Sequence, residues 1–441
     1  MKFDKFFELA KASGIEDAEI SVYNNYSLSF SLFHGEIDSY ESSNSSFYLA
    51  RGIYKGKLGA ISSDTYTKDS AEIFVKSIVE NASCIENDDP VFIFKGSEKY
   101  KKISTFNKEL GNISVETKLN LLYELEKKIK EKDKRIVEVE SVGYEESSSS
   151  STIMNSHGLK LTRKNNSYVY YGGAVAKEGE QVKTGFDIAY GNDFSKFNVD
   201  ELAESIVKET TSKLGGYQCE SATYKAVLSP DVVKSFISAY IDSAVAEGVQ
   251  KKSSLFIGKL GQKVASRKVT IEDKPLAKTI FARSFDDEGV ATKNMAIIKN
   301  GVLQSYIYNL TTAAKDNVQS TGHGATGGGS KVGTSIWYLE MKPGKKSQQE
   351  LFESIGNGVY ITEVSGLHAG LNPQSGNFSL QSTGFMVENG KVTHGLDIIT
   401  ISGNLVDLFN NISEVGADSK EFMSAFKCPS VIVKKINVSG K

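Results

Sequence analysis

Hydrolysis at a zinc centre needs two or three imidazole, carboxylate or thiolate ligands that converge on the metal, plus a carboxylate to take the proton of the bound water. The five histidines of this 441-residue chain are His34, His157, His323, His368 and His394, and no two stand at the spacing that would put both on one helix face. His34, His157 and His394 each precede a glycine and read as solvated turn residues. His323, His368 and His394 share a metal only if the fold assembles them. A serine nucleophile has no Gly-x-Ser-x-Gly elbow to present it, and Ser147 to Ser151 read as polar positions in or beside a strand. Cys84, Cys219 and Cys428 stand far apart in no CxxC pair, which suits a reducing compartment and argues against redox chemistry.

Thr321 to Lys331, TGHGATGGGSK, contains a literal GxGxxG. A dinucleotide site needs a strand before that motif and a helix N-terminus after it, whereas Val332 to Met341 have the look of a strand. Lys331 is not placed as in a Walker loop either, so the stretch reads as a flexible or substrate-facing glycine loop or as a plain connecting loop. Asp286-Asp287-Glu288-Gly289 offers residues for a cation site or an acid–base pair, but an acidic run before glycine reads first as a solvated turn. The 52 Lys and Arg nearly cancel the 54 Asp and Glu, and the arginines are only Arg51, Arg135, Arg163, Arg267 and Arg283, scattered along the chain. No basic field exists for a phosphate backbone, so direct nucleic-acid binding is not expected.

The elements that must position these residues follow from periodicity. With 39% hydrophobic and 24% charged residues the chain has the balance of a globular protein, and it is long enough for two or three cores. No run of about 18 apolar residues is present to span a bilayer. The start, Met1 to Lys5, leads into an amphipathic pattern and not a signal-peptide core, which predicts a cytoplasmic protein. Residues 3–13 are predicted as a helix ended by Gly14. Ala18, Ile20 and Val22, then Leu28, Phe30 and Leu32, predict a hairpin across Asn24-Asn25. Strands near Ile37, Phe47 to Tyr54 and Leu58 to Ser62 follow, before helical spacing from Ala71 to Ala82, making the first unit helix, about five strands, helix. Glu86 to Asn112 reads as a linker. Ser114 then caps a second helix, alternating runs at 136–144, 149–155, 159–163, 167–175 and 182–190 follow, and Asn198-x-x-Glu201 opens another helix. The repeated order predicts two copies of one design. Farther on, a helix from Ser229-Pro230-Asp231 to about Val249, hairpins at Asn300-Gly301 and Asn389-Gly390, and a late helix from Leu405 to Val415 are predicted. The fold class is thus α+β, with two similar helix–strands–helix units in the N-terminal half and a strand-rich C-terminal domain; the domains are 1–90, 113–216 and 222–441.

Phe285 to Val290, the Asn300-Gly301 hairpin, Ser320 to Gly324, Val364 to Ser379 (VSGLHAGLNPQSGNFS), Gly384-Phe385 through Gly390 and Ile401 to Leu405 together resemble, in order, the C-terminal domain of the TldD/PmbA family, also called modulators of DNA gyrase. The N-terminal layout matches too, so the resemblance covers essentially the whole chain. It implies a cytoplasmic heterodimer of a TldD-type and a PmbA-type (TldE) subunit that cleaves unfolded or extended peptides. In the metal-bearing subunit it implies His-Glu-x-x-x-His on a helix early in the C-terminal domain. Counted back from Ser253 to Phe256, those positions fall near Ile237, Ser238 and Asp242, and no histidine or cysteine occurs from Ser229 to Lys259.

The chain is therefore expected to be of the PmbA type, with no catalytic or metal-ligating residue, no cofactor of its own, zinc in a TldD-type partner, and no ligand role for Cys428. Cleft lining is expected from Gly322, His323, Gly324, Gly327 and Gly328, and from His368, Asn372, Ser375 and Asn377. Two alternatives stand beside this expectation: a homodimeric module that binds peptides or a protein client without catalysis, and a metallopeptidase in its own right that uses His323, His368 and His394.

Overall fold

The computed structural model describes residues 3–327 and 331–441. The N-terminal half consists of α1 (Asp4–Ala12), β1 (Asp17–Phe33), β2 (Glu36–Tyr54), β3 (Lys57–Ser63) and α2 (Ser70–Ser83), then α3 (Val115–Lys132), β4 (Ile136–Asn155), β5 (Lys160–Glu178), β6 (Gln181–Gly191) and α4 (Val199–Thr211). Helix, three strands, helix is thus stated twice. The six strands form one antiparallel sheet in the order β3-β2-β1-β4-β5-β6, the two units joined where β1 pairs with β4.

This corrects the expected strand count. Asn24-Asn25 is not a turn: β1 runs straight through it, Asn24 lying between Ser46 and Ser150 and Asn25 between Ser45 and Ser149. The apolar residues on either side, 18 to 22 and 28 to 32, are all even-numbered, as one unbroken strand of period two requires. The chain turns instead at His34 and Gly35, both with positive φ. Likewise 136–144 and 149–155 are one strand, and 159–163 merges with 167–175. The serine-rich middles of these strands had looked like breaks because neither face is apolar there.

Strand parity sorts the sheet into two faces. Ala18 and Ile20 pack under α1 and α2, while Leu28, Phe30 and Leu32 pack under α3 and α4, so all four helices cover the even face of β1. Within the second unit Lys118 of α3 reaches the buried carboxylate of Glu146 at 2.6 Å, which Tyr144 also donates to. Ser114 and Asn198 cap α3 and α4 as expected. The odd face carries Glu19, Tyr23 and a belt of hydroxyls in which Ser27 meets Ser43 and Ser31 meets Ser39. The stretch 86–112 is more than a linker, because Tyr100 donates to the carbonyl of Gly289 and Thr311 to that of Pro90, pinning it to the C-terminal domain.

The C-terminal domain begins with β7 (Ala222–Leu228), α5 (Pro230–Ile241) and α6 (Ala246–Gln250), continues through β8 (Ile271–Asp273), β9 (Met295–Lys299), β10 (Val302–Leu303), α7 (Leu310–Lys315), β11 (Gly324–Thr326), β12 (Val332–Thr334), β13 (Leu339–Met341), α8 (Gln348–Ile355), β14 (Gly358–Ser365), α9 (Leu367–Gly370), β15 (Asn377–Glu388) and β16 (Lys391–Asn404), and ends with α10 (Leu405–Asn411), β17 (Ile412–Val415), β18 (Lys420–Phe422), β19 (Phe426–Cys428) and β20 (Val431–Ser439). One sheet runs β16-β15-β14-β7-β20-β17 and closes on itself through a β16–β20 pairing; a second runs β10-β9-β8-β13-β19-β18. Between them Tyr240 stacks on Phe409, and Phe236 meets Phe378. The overall class is α+β, with a strand-rich C-terminal domain, as expected.

Two helices end earlier than expected. The one from Pro230 stops at Ile241, because Val245 bridges to Ile307 and the amide of Ala246 donates to the Ile307 carbonyl, pulling the backbone out of helical geometry. The late helix stops at Asn411, since 412–415 pairs with β20. Both Asn-Gly turns form hairpins, with positive φ at both residues. At Gly301 a Cβ would lie 2.3 Å from the Ala265 carbonyl oxygen, and φ is +80°. Gly301→Ala is expected to destabilise the chain by at least about 2 kcal/mol, read as a lowered denaturant midpoint at unchanged slope.

Candidate functional site

The acidic run that reads as a solvated turn is instead largely buried: Asp286 and Glu288 are 0% and 4% exposed. Gly289, at φ +85°, turns the loop so that Asp286 Oδ1 accepts the amides of Glu288 and Val290, while its Oδ2 accepts that of Gly324 at 2.8 Å. Asp287 accepts Arg163 Nη2 at 2.8 Å on one oxygen and the Thr326 amide on the other. Glu288 Oε2 accepts the Leu310 amide at 2.9 Å. Three consecutive carboxylates therefore bind backbone amides, which is why a sequence pattern for solvated turns fails here.

The glycine stretch is the other half of this construction. Gly322 has φ +77°, and its carbonyl accepts the Trp337 indole at 2.8 Å. Gly324 opens β11, where a Cβ would stand 2.4 Å from Glu288 Oε2, so only glycine lets the hairpin lie on the acidic loop. His323 is fully buried between them, with Nδ1 against Thr321 Oγ1 and Nε2 against Asp273 Oδ2, each at 2.8 Å. The β11–β12 hairpin reaches the sheet, where Tyr23 meets Thr326, and its far arm carries Lys331, 2.7 Å from Glu247. Gly327 is exposed with open space about it, and Gly328 lies outside the described residues.

From the sheet's odd face come Glu19 and Arg51, 1% and 2% exposed. Nε and Nη2 of Arg51 both donate to Glu19 Oε1, at 3.1 and 2.5 Å, and among the described residues Oε2 has no partner. Burial pushes the Glu19 carboxyl up, against the pull of Arg51. Arg283 lies 3.6 Å over the Trp337 ring, and burial, then the charge of Arg163, presses its pKa down, though it stays cationic at neutral pH. Burial, then the charge of Glu288, raises Asp286; burial likewise raises Glu288. Three of the five scattered arginines thus meet at one seam. Sequence reasoning missed them, although their rarity beside 47 lysines was a signal that fork geometry matters where they occur.

Arg51 and Glu288 also line a cavity of about 640 Å³ together with Lys57, Glu247, Asn309 and Lys331, within the range of small-molecule and peptide-end sites. Neither candidate segment lines it: Gly322, His323, Gly324 and Gly327 are not among its walls, and nor are His368, Asn372, Ser375 and Asn377. His368 is exposed on α9; Asn372 Oδ1 accepts the amides of Gln374 and Ser375; and Asn404 donates to the Ser375 carbonyl and to Asn377. That turn is closed on itself and lines neither this cavity nor the larger one, of about 1120 Å³, beside β6.

Residues 18–82 match the model of PmbA/TldA metallopeptidase domain 1, residues 108–214 that of the central domain, and residues 221–440 that of the C-terminal domain. A crystal structure from Thermotoga maritima MSB8, described as a modulator of a DNA gyrase, superposes with a TM-score of 0.92 at 30% identity over 99% of each chain. The chain belongs to the PmbA/TldD family. Metalloprotease PmbA of Escherichia coli O157:H7 is 25% identical over 443 residues, 98% of this chain and 94% of the relative. The Metalloprotease PmbA homolog of Buchnera aphidicola is 26% identical over 429 residues, 96% and 93% of the two chains. TldE from Thermococcus kodakarensis shares the fold, with a TM-score of 0.91 at 22% identity over 100% of both chains.

For a PmbA/TldD-family chain the fit of a metal is decided by its own donors. Ile237 is fully buried in the domain core, Ser238 follows it on α5 as a neutral hydroxyl, and Asp242 stands alone after the helix. The residues at these positions do not fit a zinc ion. Of the three histidines of the alternative site, His323 has both ring nitrogens engaged in the core, His368 is exposed on α9 and His394 stacks on Tyr217. Among the described residues no three His, Cys, Asp or Glu side chains are grouped so as to hold a metal ion.

Replacing Arg51 with Met strands Glu19 in the seam. Arg51→Met is expected to cost about 3–5 kcal/mol in denaturant unfolding, and adding Glu19→Gln should recover part of it. Because Asp286 and Glu288 hold their protons more tightly folded than unfolded, their contribution is fully present below about pH 4 and is lost as pH rises through neutrality. Glu288→Gln keeps the acceptor for Leu310 and should flatten the fall in unfolding midpoint toward pH 8; an unchanged slope would contradict the like-charge repulsion.

Proposed function

We propose that this chain is the metal-less subunit of a TldD/PmbA-type metallopeptidase complex that cleaves unfolded or extended peptides, shaping the peptide cleft while a TldD-type partner carries zinc. One observation supports this above the others. From Ser229 to Lys259 there is no histidine or cysteine, and Ile237 is an aliphatic core residue packed on the C-terminal domain's sheets. An imidazole there would have to leave the core before it could bind a metal, and no carboxylate of α5 stands ready to activate water. The family membership and the relatives named as metalloproteases supply the reaction class. Among the described residues no helix is long and apolar enough to cross a membrane.

The test is peptidase activity against an unfolded protein, with zinc content measured in parallel, for the chain alone and mixed with a TldD-type subunit. Activity and zinc are expected in the mixture and absent from the chain alone. Zinc and activity in the chain alone would overturn the proposal. Peptide binding by a stable homodimer, with no activity gained on mixing, would favour the binding module instead.

A further inference from the structure

The cleft of about 1120 Å³ lies between the N-terminal sheet and the C-terminal domain, and one of its walls is the free edge of the sheet: Asp187 to Gly191 of β6 line it, and β6 has no neighbour beyond β5. Which backbone groups face it follows from pairing. In an antiparallel edge strand alternate residues turn both N–H and C=O away from the sheet. The carbonyl of Thr184 accepts Lys213 Nζ, and the amide of Ile188 donates to Asp187 Oδ1, so the outward set is 184, 186, 188 and 190. Among the described residues the outward groups of Phe186 and Tyr190 and the carbonyl of Ile188 have no partner. The one capped amide is held by the side chain of its own neighbour, a bond that an incoming carbonyl can replace.

Exposed edges are normally blunted by proline, a bulge or lysine. β6 has no proline, its pairing with β5 is unshifted over its whole length, and its single lysine, Lys183, is paired with Asp397. The edge is protected by position, recessed in a cleft whose opposite wall comes from the C-terminal domain, residues 276–280 and Tyr338, with Tyr338 donating to Glu421. The Tyr190 and Phe281 rings are 6.1 Å apart, so the C-terminal domain meets the side-chain face of β6 at Tyr190. Four lysines face five carboxylates in the lining, a balance that selects neither an anionic nor a cationic ligand. Its volume exceeds the roughly 300–1000 Å³ of ordinary small-molecule sites.

We propose that this cleft binds an extended peptide as an added strand on β6, reading backbone and not side chains. This rests on the peptide-handling function proposed above and gives it a place in this chain: main-chain bonds at 186, 188 and 190 supply affinity, and the opposite wall accepts whichever side chains alternate toward it.

The experiment uses the full chain and a short, unstructured fluorescent peptide of Ala, Ser, Thr and Val, a scrambled version, and a version N-methylated at alternate residues. The first two should bind alike and the third at least about tenfold more weakly. Ile188→Pro removes only an outward amide, which an edge strand tolerates, and should weaken binding similarly at an unchanged melting temperature. Equal binding of the N-methylated peptide would overturn the proposal, and so would a stably folded Ile188→Pro variant that binds as well as wild type. If that variant unfolds, the methylated ligand still decides. Self-association abolished by Ile188→Pro, without peptide binding, would assign the edge to a second copy and likewise overturn it. The same peptides are then assayed in the mixture with a TldD-type subunit. Cleavage there with no response to methylation or to Ile188→Pro sinks the cleft and spares the subunit proposal. Methylation-sensitive binding with no cleavage in the mixture does the reverse.

Discussion

The seam between the two halves of this molecule is organised by desolvated acidic groups. Asp286, Asp287 and Glu288 are driven into the seam, where solvent cannot stabilise them, and are held there by backbone amides of the glycine hairpin and of Leu310, and by Arg163. Glu19 and Arg51 face them from the sheet. Carboxylates in such a place are stable only while every partner stays in position, because removing one leaves a buried charge uncompensated. The glycines follow from this: at 324 any side chain would displace Glu288. The hairpin, the loop and the odd face of the sheet are therefore a single construction, and the cavity lined by Arg51 and Glu288 is what remains open within it.

A second constraint is the one-sided use of the sheet. All four helices cover the even face of β1, so the other face is left to the C-terminal domain at one end and to serine and asparagine along the middle. A sheet with one face packed and one polar is an ordinary antiparallel solution. Here the polar face leads to the charged seam, and the last strand presents its edge to the larger cleft. Both cavities thus lie where the two halves meet, and domain junctions are where ligand sites are commonly found.

Reading the sequence succeeded wherever a local rule had a single answer. Caps at Ser114 and Asn198, the Asn-Gly turns and the apolar faces of the helices are short-range physics, and they recur in the structure. It failed where polar residues sat inside regular elements. Asn24-Asn25 and the serines of β4 are strand interior because two neighbouring strands satisfy their backbones on both sides, something no window of a few residues contains. The acidic loop failed for the same reason, its partners being Gly324, Thr326 and Leu310, more than twenty residues away in sequence.

By itself, then, the sequence determined the α+β class, the repeated unit, the family, and the lack of imidazole or thiolate donors where α5 would need them, since these depend on residue identity and local periodicity. Only the tertiary structure decided that three distant arginines meet three carboxylates, that His323 is locked in the core while His368 is exposed, and that one strand edge opens into a cleft. Burial and long-range pairing set the energies of those groups, and both are properties of the folded chain as a whole.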